Sequence, residues 1–329
     1  MQVAIINQGR IEIQDREIPR PKSSQVLIRV SLAGICGTDL EIASGYSQFS
    51  GILGHEFTGR VVQAPDRPDL VGLRVVADIN CGCGSCSWCI RGQHRHCSRR
   101  KVLGIRELNG AFAQYVCVPM ANISLVPDQV SDQEAVFAEP LAAALEVSQQ
   151  VHITAQTRIA VLGAGKLGLL CALALSHSTP QLTLFGRHQS QLQIAADQGL
   201  STTLLQPDQP IEDHSRDHDL VVECTGKAQG INVALDLVRP EGTVVVKTTS
   251  HQASSLDLSR VVINEIALLG SRCGDMSLAV HFLARKWVDV RPLIEDVFPL
   301  PRVQEAFLRA GRKGALKVLI NCSSDATHF

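Results

Sequence analysis

The sequence predicts an α/β protein with two domains, a mainly β domain followed by a doubly wound parallel sheet covered by helices. At 329 residues the chain is longer than one ordinary hydrophobic core requires. Short runs of β-branched and alternating apolar residues fill its first third, where helical patterns are scarce. From Arg158 onward, short apolar strands alternate with helical segments, which is typical of a parallel sheet with helices on its faces.

The composition excludes several classes of partner. The formal net charge is −1, and Lys and Arg are spread along the chain apart from a short run at 99–101. This distribution predicts no nucleic-acid or membrane partner. The first residues lack a signal-peptide pattern and no later run is apolar enough to span a bilayer, so we expect a soluble, cytoplasmic protein. The eleven cysteines are an odd number in a long chain, which favours reduced thiols over disulfides.

The first domain is assembled from strand-like runs separated by prolines. These runs lie at 3–7, 9–13, 26–32, 56–62, 73–79 and 110–118. Pro19 and Pro21 lie in the gap between the second and third runs, and Pro65 and Pro68 mark a turn before the run at 73–79.

The stretch 34–56 contains two candidate metal ligands, Cys36 and His55. Thr38 and Asp39 follow the cysteine and Glu56 follows the histidine, so both candidates have polar neighbours. A thiolate and a neutral imidazole suit zinc. On this stretch alone, a small buried cysteine and a hydrogen-bonded histidine explain the pattern equally well.

A second cysteine group occupies the segment 81–97, CGCGSCSWCIRGQHRHC. Cys83, Cys86 and Cys89 are separated by two residues each, and Cys97 follows after a longer loop. Four thiolates on short turns can surround one tetrahedral ion, which predicts a closed structural zinc site. The even spacing favours this set over the neighbouring candidates, which are Cys81, His94 and His96.

A helical pattern covers 128–147, and Ser131 with Glu134 fits a capping box at its start. Within it, Glu139 stands among apolar residues, where a carboxylate is costly to bury unless it is paired or binds a metal. Glu139 is therefore the candidate third ligand. Taken by itself, it is more simply an exposed helix carboxylate.

A glycine pattern follows the predicted strand at 158–162 and precedes an apolar helix at 169–176. It consists of Gly163, Gly165 and Gly168 with Lys166 and Leu167 between the last two. Between a strand and a helix, this pattern predicts a dinucleotide-binding turn. Such a turn lets the backbone approach a pyrophosphate at the helix N-terminus. The residues after Lys166 do not continue a nucleotide P-loop, so ATP is disfavoured.

The next strand, at 182–185, ends in Gly186 and Arg187. An NAD-binding domain usually has an acidic residue here to accept hydrogen bonds from the ribose hydroxyls. Glycine followed by a cation removes repulsion and offers a partner for a 2′-phosphate, which favours NADP over NAD. The alternative is that Arg187 is a solvated loop charge.

The remaining pattern continues the second domain and ends outside it. Strands are predicted at 219–223, 243–247 and 267–270, with a helix near 231–237. The segment 208–219 is most simply a solvated connection, and 290–301 is broken by prolines. A late strand at 317–320 is predicted to rejoin the first domain.

Taken in order, these motifs resemble the zinc-dependent medium-chain dehydrogenase/reductase superfamily. The matching segments are GICGTD, GHEFTG, the cysteine segment, NGAFAQY, FAEPLA, VLGAGKLG and VVECTG, and they span nearly the whole chain. The resemblance implies a GroES-like catalytic domain at 1–150 with a zinc lobe at 81–97. A Rossmann coenzyme domain at 151–289 and a return to the catalytic domain at 290–329 follow.

The resemblance also implies roles for individual residues. Cys36, His55 and Glu139 correspond to catalytic zinc ligands, with glutamate at the third place as in the sorbitol, glucose and threonine dehydrogenase branch. Glu56 corresponds to a residue that lies behind the zinc or exchanges onto it, and Asp39 to the partner of the histidine.

Three further positions take their roles from the same resemblance. Thr38 corresponds to the hydroxyl that touches the substrate oxygen, and Thr225 in VVECTG to a coenzyme contact. Glu41 stands where many relatives have a histidine that relays the proton, which leaves the proton route open because a carboxyl group has a lower pKa.

By this resemblance the protein is an NAD(P)-dependent alcohol or polyol dehydrogenase with two zinc ions per chain. It exchanges a hydride reversibly between the carbinol carbon of an alcohol, polyol or sugar-like substrate and NADP, and it forms a homodimer or homotetramer. A zinc-free reductase of the same superfamily would lack both ligand sets. The alternative from another class is a nucleotide-sensing or scaffold protein on the same fold, which Glu41 and the unfamiliar loop at 43–50 favour.

Overall fold

The computed structural model describes residues 1–7, 9–45, 49–206, 216–249, 253 and 255–323. It divides into two compact units, the described parts of Met1–Glu139 with Met276–Phe329, and of Pro140–Asp275. The family resemblance places these divisions later, at 150 and 289. The first difference arises because the chain passes between the units near the start of one continuous helix, Ala138–Gln150.

The described chain forms the following strands: β1 Gln2–Asn7, β2 Arg10–Asp15, β3 Gln25–Gly34, β4 Gly51–Ile52, β5 Glu56–Gln63, β6 Arg74–Ala77, β7 Asn80–Cys81, β8 Lys101–Leu103, β9 Glu107–Leu108, β10 Tyr115–Pro119, β11 Ile123–Leu125, β12 Ile159–Leu162, β13 Leu182–Gly186, β14 Ser201–Leu204, β15 His218–Glu223, β16 Val238–Val246, β17 Ala267–Gly270, β18 Ile294–Pro299 and β19 Lys317–Asn321.

Its helices are α1 Gly37–Ala43, α2 Ser87–Ile90, α3 Asp132–Ala135, α4 Ala138–Gln150, α5 Lys166–Leu175, α6 Gln189–Ala196, α7 Gly230–Leu237, α8 Leu258–Ile263, α9 Met276–Ala284 and α10 Val303–Ala310. Short 3₁₀ turns occur at Pro68–Leu70, His94–His96, Met120–Asn122, Arg291–Leu293 and Leu300–Arg302.

The first unit is built on a mixed sheet with the order β11-β6-β5-β3-β19-β18, and β10 also pairs with β3. The late strand β19 pairs antiparallel with β3, Leu319 opposite Gly34, so the prediction that it rejoins the first domain is confirmed. Strand β18 lies in the proline-broken segment at 290–301, where the sequence pattern predicted no strand. Leu32, Val136 and Leu319 form a buried cluster against this sheet.

The second unit contains a parallel sheet with the order β14-β13-β12-β15-β16-β17. The predicted doubly wound parallel architecture is therefore confirmed. Its core is a cluster of buried side chains that includes Phe185, Val221 and Leu235. Strands β12, β13 and β15 end next to one another, and the glycine turn lies at that edge.

The single helix predicted at 128–147 is two helices in the structure, α3 and α4. The capping box at its start is confirmed, because the Ser131 side chain accepts from the Glu134 N–H and the Glu134 carboxylate accepts from the Ser131 N–H at 2.9 Å. The run at 110–118 becomes a strand from Tyr115 onward.

Most of the segment at 208–219, predicted as a solvated connection, lies outside the described residues. Among the described residues, no helix is both long and apolar enough to cross a bilayer.

Candidate active site and metal centres

The carboxylate of Asp39 joins the two segments that carry Cys36 and His55. Asp39 is fully buried on α1, where Oδ2 accepts the Cys36 N–H at 2.8 Å and Oδ1 accepts the Gly54 N–H at 3.2 Å. Oδ1 also lies 3.4 Å from Nδ1 of His55. One buried carboxylate thus fixes the backbone beside both candidate ligands and orients the imidazole, as the resemblance implies for Asp39.

The turn that presents His55 requires glycine at position 54. Gly54 has a φ of +91°, and a Cβ atom there would lie 2.5 Å from the ring of Phe112. The left-handed backbone and the packed ring together exclude a side chain. This turn ends at β5, so His55 and Glu56 enter the sheet next to each other.

Among the described residues, Cys36, His55 and Glu56 bring one ligand atom each to within 4.8 Å of one another. A thiol, an imidazole and a carboxylate at this separation suit zinc, so the side chains fit the metal that the sequence predicts. Glu139 does not belong to this group of described residues. The structure therefore puts Glu56, rather than Glu139, beside Cys36 and His55.

Glu139 nevertheless lies near enough to interact electrostatically with this group. The residue is half-buried, but withdrawal of its carboxyl group from water raises its pKa to about 7. The charge of His55 opposes this shift, and the charge of Glu56 adds to it. Glu139 begins α4, and its role as a zinc ligand stays a prediction.

The electrostatics of His55 also reflect its surroundings. Burial alone would lower the pKa of its imidazole, but Asp39 and then Cys36 raise it well above the usual value. A metal ion must displace this proton, because only neutral imidazole binds metals.

Glu56 forms a buried ion pair with Lys317, in which Nζ of Lys317 donates to Oε2 of Glu56. Both side chains are about 2% exposed. Burial alone would lower the pKa of Lys317, but the charges of Glu56 and Cys36 raise it above its usual value, so the ammonium keeps its proton. Nζ also lies 5.9 Å from the ring centroid of Phe137.

Thr38 and Glu41 lie on the same short helix as Asp39. The Thr38 hydroxyl is 3.8 Å from the sulfur of Cys36, so it stands beside the candidate metal group. Glu41 lies half-buried near the C-terminal end of α1. Its part in a proton relay stays a prediction.

The second group of ligands is the predicted cysteine lobe. Cys83, Cys86, Cys89 and Cys97 bring their sulfurs to within 4.8 Å of one another. The Cys86–Cys89 and Cys83–Cys89 distances are 3.5 and 4.0 Å. Four sulfurs around a tetrahedral zinc ion are about 3.8 Å apart, given a bond of roughly 2.3 Å. The lobe therefore fits the structural zinc that the spacing predicts.

The lobe also favours thiolates, which are the form that binds zinc. The Ser85 N–H, followed by its hydroxyl, lowers the pKa of Cys83 to about 5. The Cys89 N–H lowers the pKa of Cys86 in the same way.

The neighbouring candidates for the lobe have other contacts. The sulfur of Cys81 is buried 3.9 Å from the carbonyl oxygen of Ile79, and its withdrawal from water raises its pKa to about 12. Nε2 of His94 is 2.8 Å from a carboxylate oxygen of Asp78. Both lie outside the four-cysteine group, which agrees with the choice that the spacing favoured.

In the second unit, the glycine pattern forms a tightly packed turn between β12 and α5. Gly163 has a φ of +108°, and a Cβ at Gly168 would lie 1.7 Å from the carbonyl oxygen of Gly163. Gly165 is the N-cap of α5 and provides no side-chain cap, while Lys166 and Leu167 form the first turn and are half-buried. The turn therefore presents backbone N–H groups at a helix N-terminus, which is the arrangement that binds phosphates.

The end of β13 shows why an acidic residue is missing there. Gly186 is buried, and a Cβ atom there would lie 2.7 Å from the Cβ of Ala164 and 2.9 Å from Leu192. Arg187 follows it with an exposed side chain. The packing leaves no room for an acidic side chain at position 186, and the next residue is an exposed cation at the strand end.

Thr225 lies in the loop after β15. Its N–H and its hydroxyl both donate to Oε1 of Glu223, at 2.8 and 2.6 Å. These bonds fix the loop, and a coenzyme contact from Thr225 stays a prediction.

Family comparisons agree with this arrangement. Residues 22–128 match the model of the alcohol dehydrogenase GroES-like domain. Residues 133–321, more than half of the chain, match the model of the glucose dehydrogenase C-terminus.

The chain belongs to the zinc-dependent medium-chain dehydrogenase/reductase family. A sorbitol dehydrogenase of Halalkalibacterium halodurans is 28% identical, over 95% of this chain and 96% of that protein. A structure of a putative zinc-binding dehydrogenase from Sinorhizobium meliloti bound to NADP is 26% identical, with a TM-score of 0.89 over 97% of this chain and 98% of that one.

A third relative was solved with the other coenzyme. It is an alcohol dehydrogenase from E. coli CFT073 complexed with NADH, 26% identical, with a TM-score of 0.90 over 98% of this chain and 99% of that one. The family membership makes the protein an oxidoreductase of the alcohol and polyol dehydrogenase type. It also confirms the GroES-like and Rossmann-type architecture.

Lys317 is the residue of this site that the sequence did not reveal. The sequence predicts a strand at 317–320, and the lysine at the start of this otherwise apolar run is the signal that points to a buried partner. Its partner Glu56 is 261 residues away, and the two meet because β19 pairs with β3 next to β5.

Proposed function

We propose that the protein transfers a hydride between the carbinol carbon of an alcohol, polyol or sugar-like substrate and NADP, using a zinc ion at the group Cys36, His55 and Glu56. The observation that carries this proposal is the convergence of these three side chains to within 4.8 Å, with the buried carboxylate of Asp39 holding Cys36 and His55. A second zinc ion is assigned to the four-cysteine lobe.

The carboxylate ligand of the catalytic zinc has two candidates. Glu56 lies with Cys36 and His55, and its carboxylate can accept from Lys317 and still bind a metal, because it has two oxygens with several lone pairs. Glu139, the ligand that the resemblance implies, is then the nearby carboxyl group that can replace Glu56 or hold a proton, since its pKa is about 7. Glu56→Gln and Glu139→Gln distinguish them by zinc content.

When bound, zinc polarises the substrate oxygen, and the nicotinamide accepts or donates the hydride. Around this chemistry the protein positions groups that handle the proton. The Thr38 hydroxyl, beside Cys36, is assigned to the substrate oxygen and the transfer of its proton, and Glu41 on the same helix to the next step outward. Asp39 keeps the imidazole of His55 in one orientation.

The coenzyme is assigned to the second unit, with the pyrophosphate at Gly163, Gly165, Lys166, Leu167 and Gly168. NADP is favoured over NAD because Gly186 has no room for an acidic side chain and Arg187 is exposed directly after it. Thr225 is assigned to a further coenzyme contact. Solved relatives with NADP and with NADH show that both coenzymes occur in the family.

A polyol or sugar-like substrate is favoured for two reasons. The candidate site combines a single thiol with carboxylates, which makes it more polar than a site with two thiolates. In addition, a relative matched over 95% of this chain is a sorbitol dehydrogenase.

The proposed assembly is a homodimer or homotetramer. Strand β17 is the last strand of its sheet among the described residues, and its free edge exposes Leu268. Val262 and Ile263 on α8 are more than 70% exposed nearby in sequence. An open edge with apolar side chains favours pairing with a second copy. Val262→Asp combined with Ile263→Asp should then give monomers in sedimentation experiments.

The proposed function is tested by counting zinc and screening substrates on the same preparation. We expect two zinc ions per chain and oxidation of a polyol or sugar-like alcohol, with kcat/KM higher for NADP than for NAD. Cys36→Ser should lose one zinc ion and hydride transfer while remaining folded. One zinc ion per chain with no turnover on any alcohol would instead support a sensing or scaffold protein and refute the proposal.

A further inference from the structure

Two cysteine sulfurs lie next to each other in the second unit, beside the glycine turn. Cys171 is buried on α5, and Cys224 is partly exposed in the loop directly after β15. Their sulfurs are 3.9 Å apart, with the Cys224 thiol donating to Cys171. A disulfide bond is about 2.0 Å long, so the sulfurs need to approach by only about 1.9 Å.

The surroundings of the pair include a buried positive charge. Lys247 is 7% exposed, and its Nζ donates to the carbonyl oxygens of Ala143 and Arg272 and to the hydroxyl of Ser271. These three acceptors are uncharged, so they leave the charge of the ammonium group to act on the thiols. A nearby cation stabilises a thiolate and makes it more reactive.

The hydrogen bond divides the roles of the two sulfurs. It lowers the pKa of Cys171 against the opposing effect of burial, and the charge of Lys247 lowers that pKa further. The same bond raises the pKa of Cys224. The pair therefore resembles the thiolate and its thiol partner that are found in redox-sensitive cysteine pairs.

Cys224 is packed directly against the glycine turn. A Cβ atom at Gly163 would lie 2.8 Å from the carbonyl oxygen of Cys224, and one at Gly168 would lie 3.4 Å from the Cβ of Cys224. The backbone of Cys224 thus occupies the space that Gly163 leaves open, and its Cβ is in ordinary contact distance of Gly168. A shift of Cys224 toward Cys171 should displace the turn as well, because protein interiors are close-packed and transmit strain.

We propose that Cys171 and Cys224 are a peroxide-sensitive dithiol, and that their oxidation to a disulfide distorts the glycine turn and weakens binding of the coenzyme. The effect on the coenzyme rests on the proposed function, whereas the cross-link itself does not.

The reaction consumes one hydrogen peroxide. The Cys171 thiolate attacks a peroxide oxygen. The O–O bond breaks, Cys171 becomes a sulfenic acid, and the leaving hydroxide takes the Cys224 proton to form water. The Cys224 thiolate then attacks the sulfenic sulfur, which forms the S–S bond, breaks the S–O bond and releases hydroxide. The two sulfurs lose two electrons, and peroxide gains them.

The cross-link can be detected by mass spectrometry after trypsin digestion. Cleavage after Lys166, Arg187, Arg216 and Lys227 gives the peptides 167–187 and 217–227, and each contains a single cysteine. The zinc-loaded protein is treated with increasing hydrogen peroxide and then blocked with N-ethylmaleimide. We expect the two peptides to appear joined, two hydrogens lighter than their sum, before zinc is released from the cysteine lobe.

Three variants separate the pair from the other cysteines. Cys171→Ser and Cys224→Ser should each prevent the joined peptide. Cys117→Ser, which changes a half-buried cysteine in the first unit, should leave it unchanged. If both peptides remain separate and blocked by N-ethylmaleimide in the wild type, or if zinc release comes first, the dithiol proposal is overturned.

A titration with NADPH, monitored through the fluorescence of the coenzyme, tests whether the cross-link weakens coenzyme binding. Oxidation should weaken NADPH binding by about tenfold, within the usual range for two coupled sites. Reduction with dithiothreitol should restore it, and the Cys171→Ser protein should show no change with peroxide. Unchanged affinity after cross-linking would overturn the coupling to the turn. Failure of the reduced protein to bind NADPH at all would instead count against the proposed function and leave the cross-link standing.

Discussion

Lys317 and Glu56 form a buried ion pair inside the first unit, and Glu56 belongs to the same candidate zinc group as Cys36 and His55. Two buried charges of this kind cost free energy to desolvate and repay it only while both are present. The pair therefore fixes the position of Glu56 more strongly than it adds to stability. This makes Lys317 a positioning residue for the metal site.

The first prediction concerns this pair. Glu56→Gln or Lys317→Met alone should each lower the free energy of unfolding by about 3 to 5 kcal/mol, because each leaves one buried charge without its partner. The double variant should recover most of that loss. Urea unfolding of the four proteins at matched zinc content measures the coupling. Additive losses in the double variant would show that the pair is not coupled as the structure indicates.

The second prediction uses the glycine that faces this pair. A Cβ atom at Gly34 would lie 2.8 Å from Oε2 of Glu56, 3.0 Å from Val136 and 3.1 Å from Cδ of Lys317. Gly34→Ala should therefore destabilise the protein by about 1 to 3 kcal/mol through overpacking and should reduce its zinc content.

Gly37→Ala is the matched control for this change. A Cβ atom at Gly37, in the first turn of α1, would have no heavy atom of the described residues within 4 Å beyond its chain neighbours and its own helix. Thermal unfolding should therefore show no loss of stability in this variant. An equal loss in both variants would mean that crowding of the ion pair is not the cause.

The third prediction follows from Glu134, which caps α3 and pairs with Lys286 at 2.7 Å. Burial would raise the pKa of Glu134, but Lys286 and Ser131 together lower it below the reference value of 4.5. A lowered pKa in the folded state means that its contribution is complete above pH 4.5 and is lost as the pH falls below that value.

Glu134→Gln measures this contribution. The difference in unfolding free energy between wild type and variant should be about 1 kcal/mol at pH 7, as for a helix cap, and should shrink as the pH falls below 4.5. Glu305, an exposed acid paired with Arg302, provides the control Glu305→Gln, whose effect should be smaller at every pH. A difference that grows on acidification would contradict the assignment.

The parts of this site that could be predicted from the sequence are those whose residues lie close together along the chain. The four lobe cysteines could be predicted because metal ligands of the right chemistry stood at short, regular spacings. Cys36 and His55 became candidates through their polar neighbours and the family resemblance. The glycine turn could be predicted because a strand and a helix bracket it. Each of these signals lies within a few dozen residues of sequence.

The surroundings of Glu56 could not be predicted from local sequence patterns. Its contact with Lys317 depends on the register of β19 against β3, which no local pattern fixes. The choice between Glu56 and Glu139 beside the zinc site depends on distances of a few ångströms between β5 and the start of α4. Strand β18 was missed because prolines flank its segment at 290–301, although one of them closes the strand at Pro299.

The fourth prediction concerns the cysteine lobe. Cys97 is fully buried, and its sulfur completes the group with Cys83, Cys86 and Cys89. Cys97→Ser should remove one zinc ion per chain and lower stability or solubility, because metal binding contributes directly to the folding of such sites. Cys117→Ser is the matched control and should keep both zinc ions. Two zinc ions in the Cys97→Ser protein would refute the assignment of the lobe.

The last prediction tests the coenzyme preference through Arg187. A charge-assisted hydrogen bond to a phosphate is worth about 1.5 to 3 kcal/mol, so Arg187→Ala should weaken binding of NADPH by roughly tenfold to a hundredfold. Binding of NADH should be unchanged, because NADH has no 2′-phosphate. Fluorescence titration with both coenzymes measures the two constants.

Arg285→Ala changes another exposed arginine, outside the second unit, and should affect neither constant. Because Gly186 has no room for an acidic side chain, the arginine is the part of this strand end that can distinguish the coenzymes. An equal loss for NADPH and NADH in Arg187→Ala would make Arg187 a general phosphate contact. Tighter binding of NADH than NADPH by the wild type would refute the NADP preference. A group other than an acid at position 186 would then bind the ribose hydroxyls of NADH.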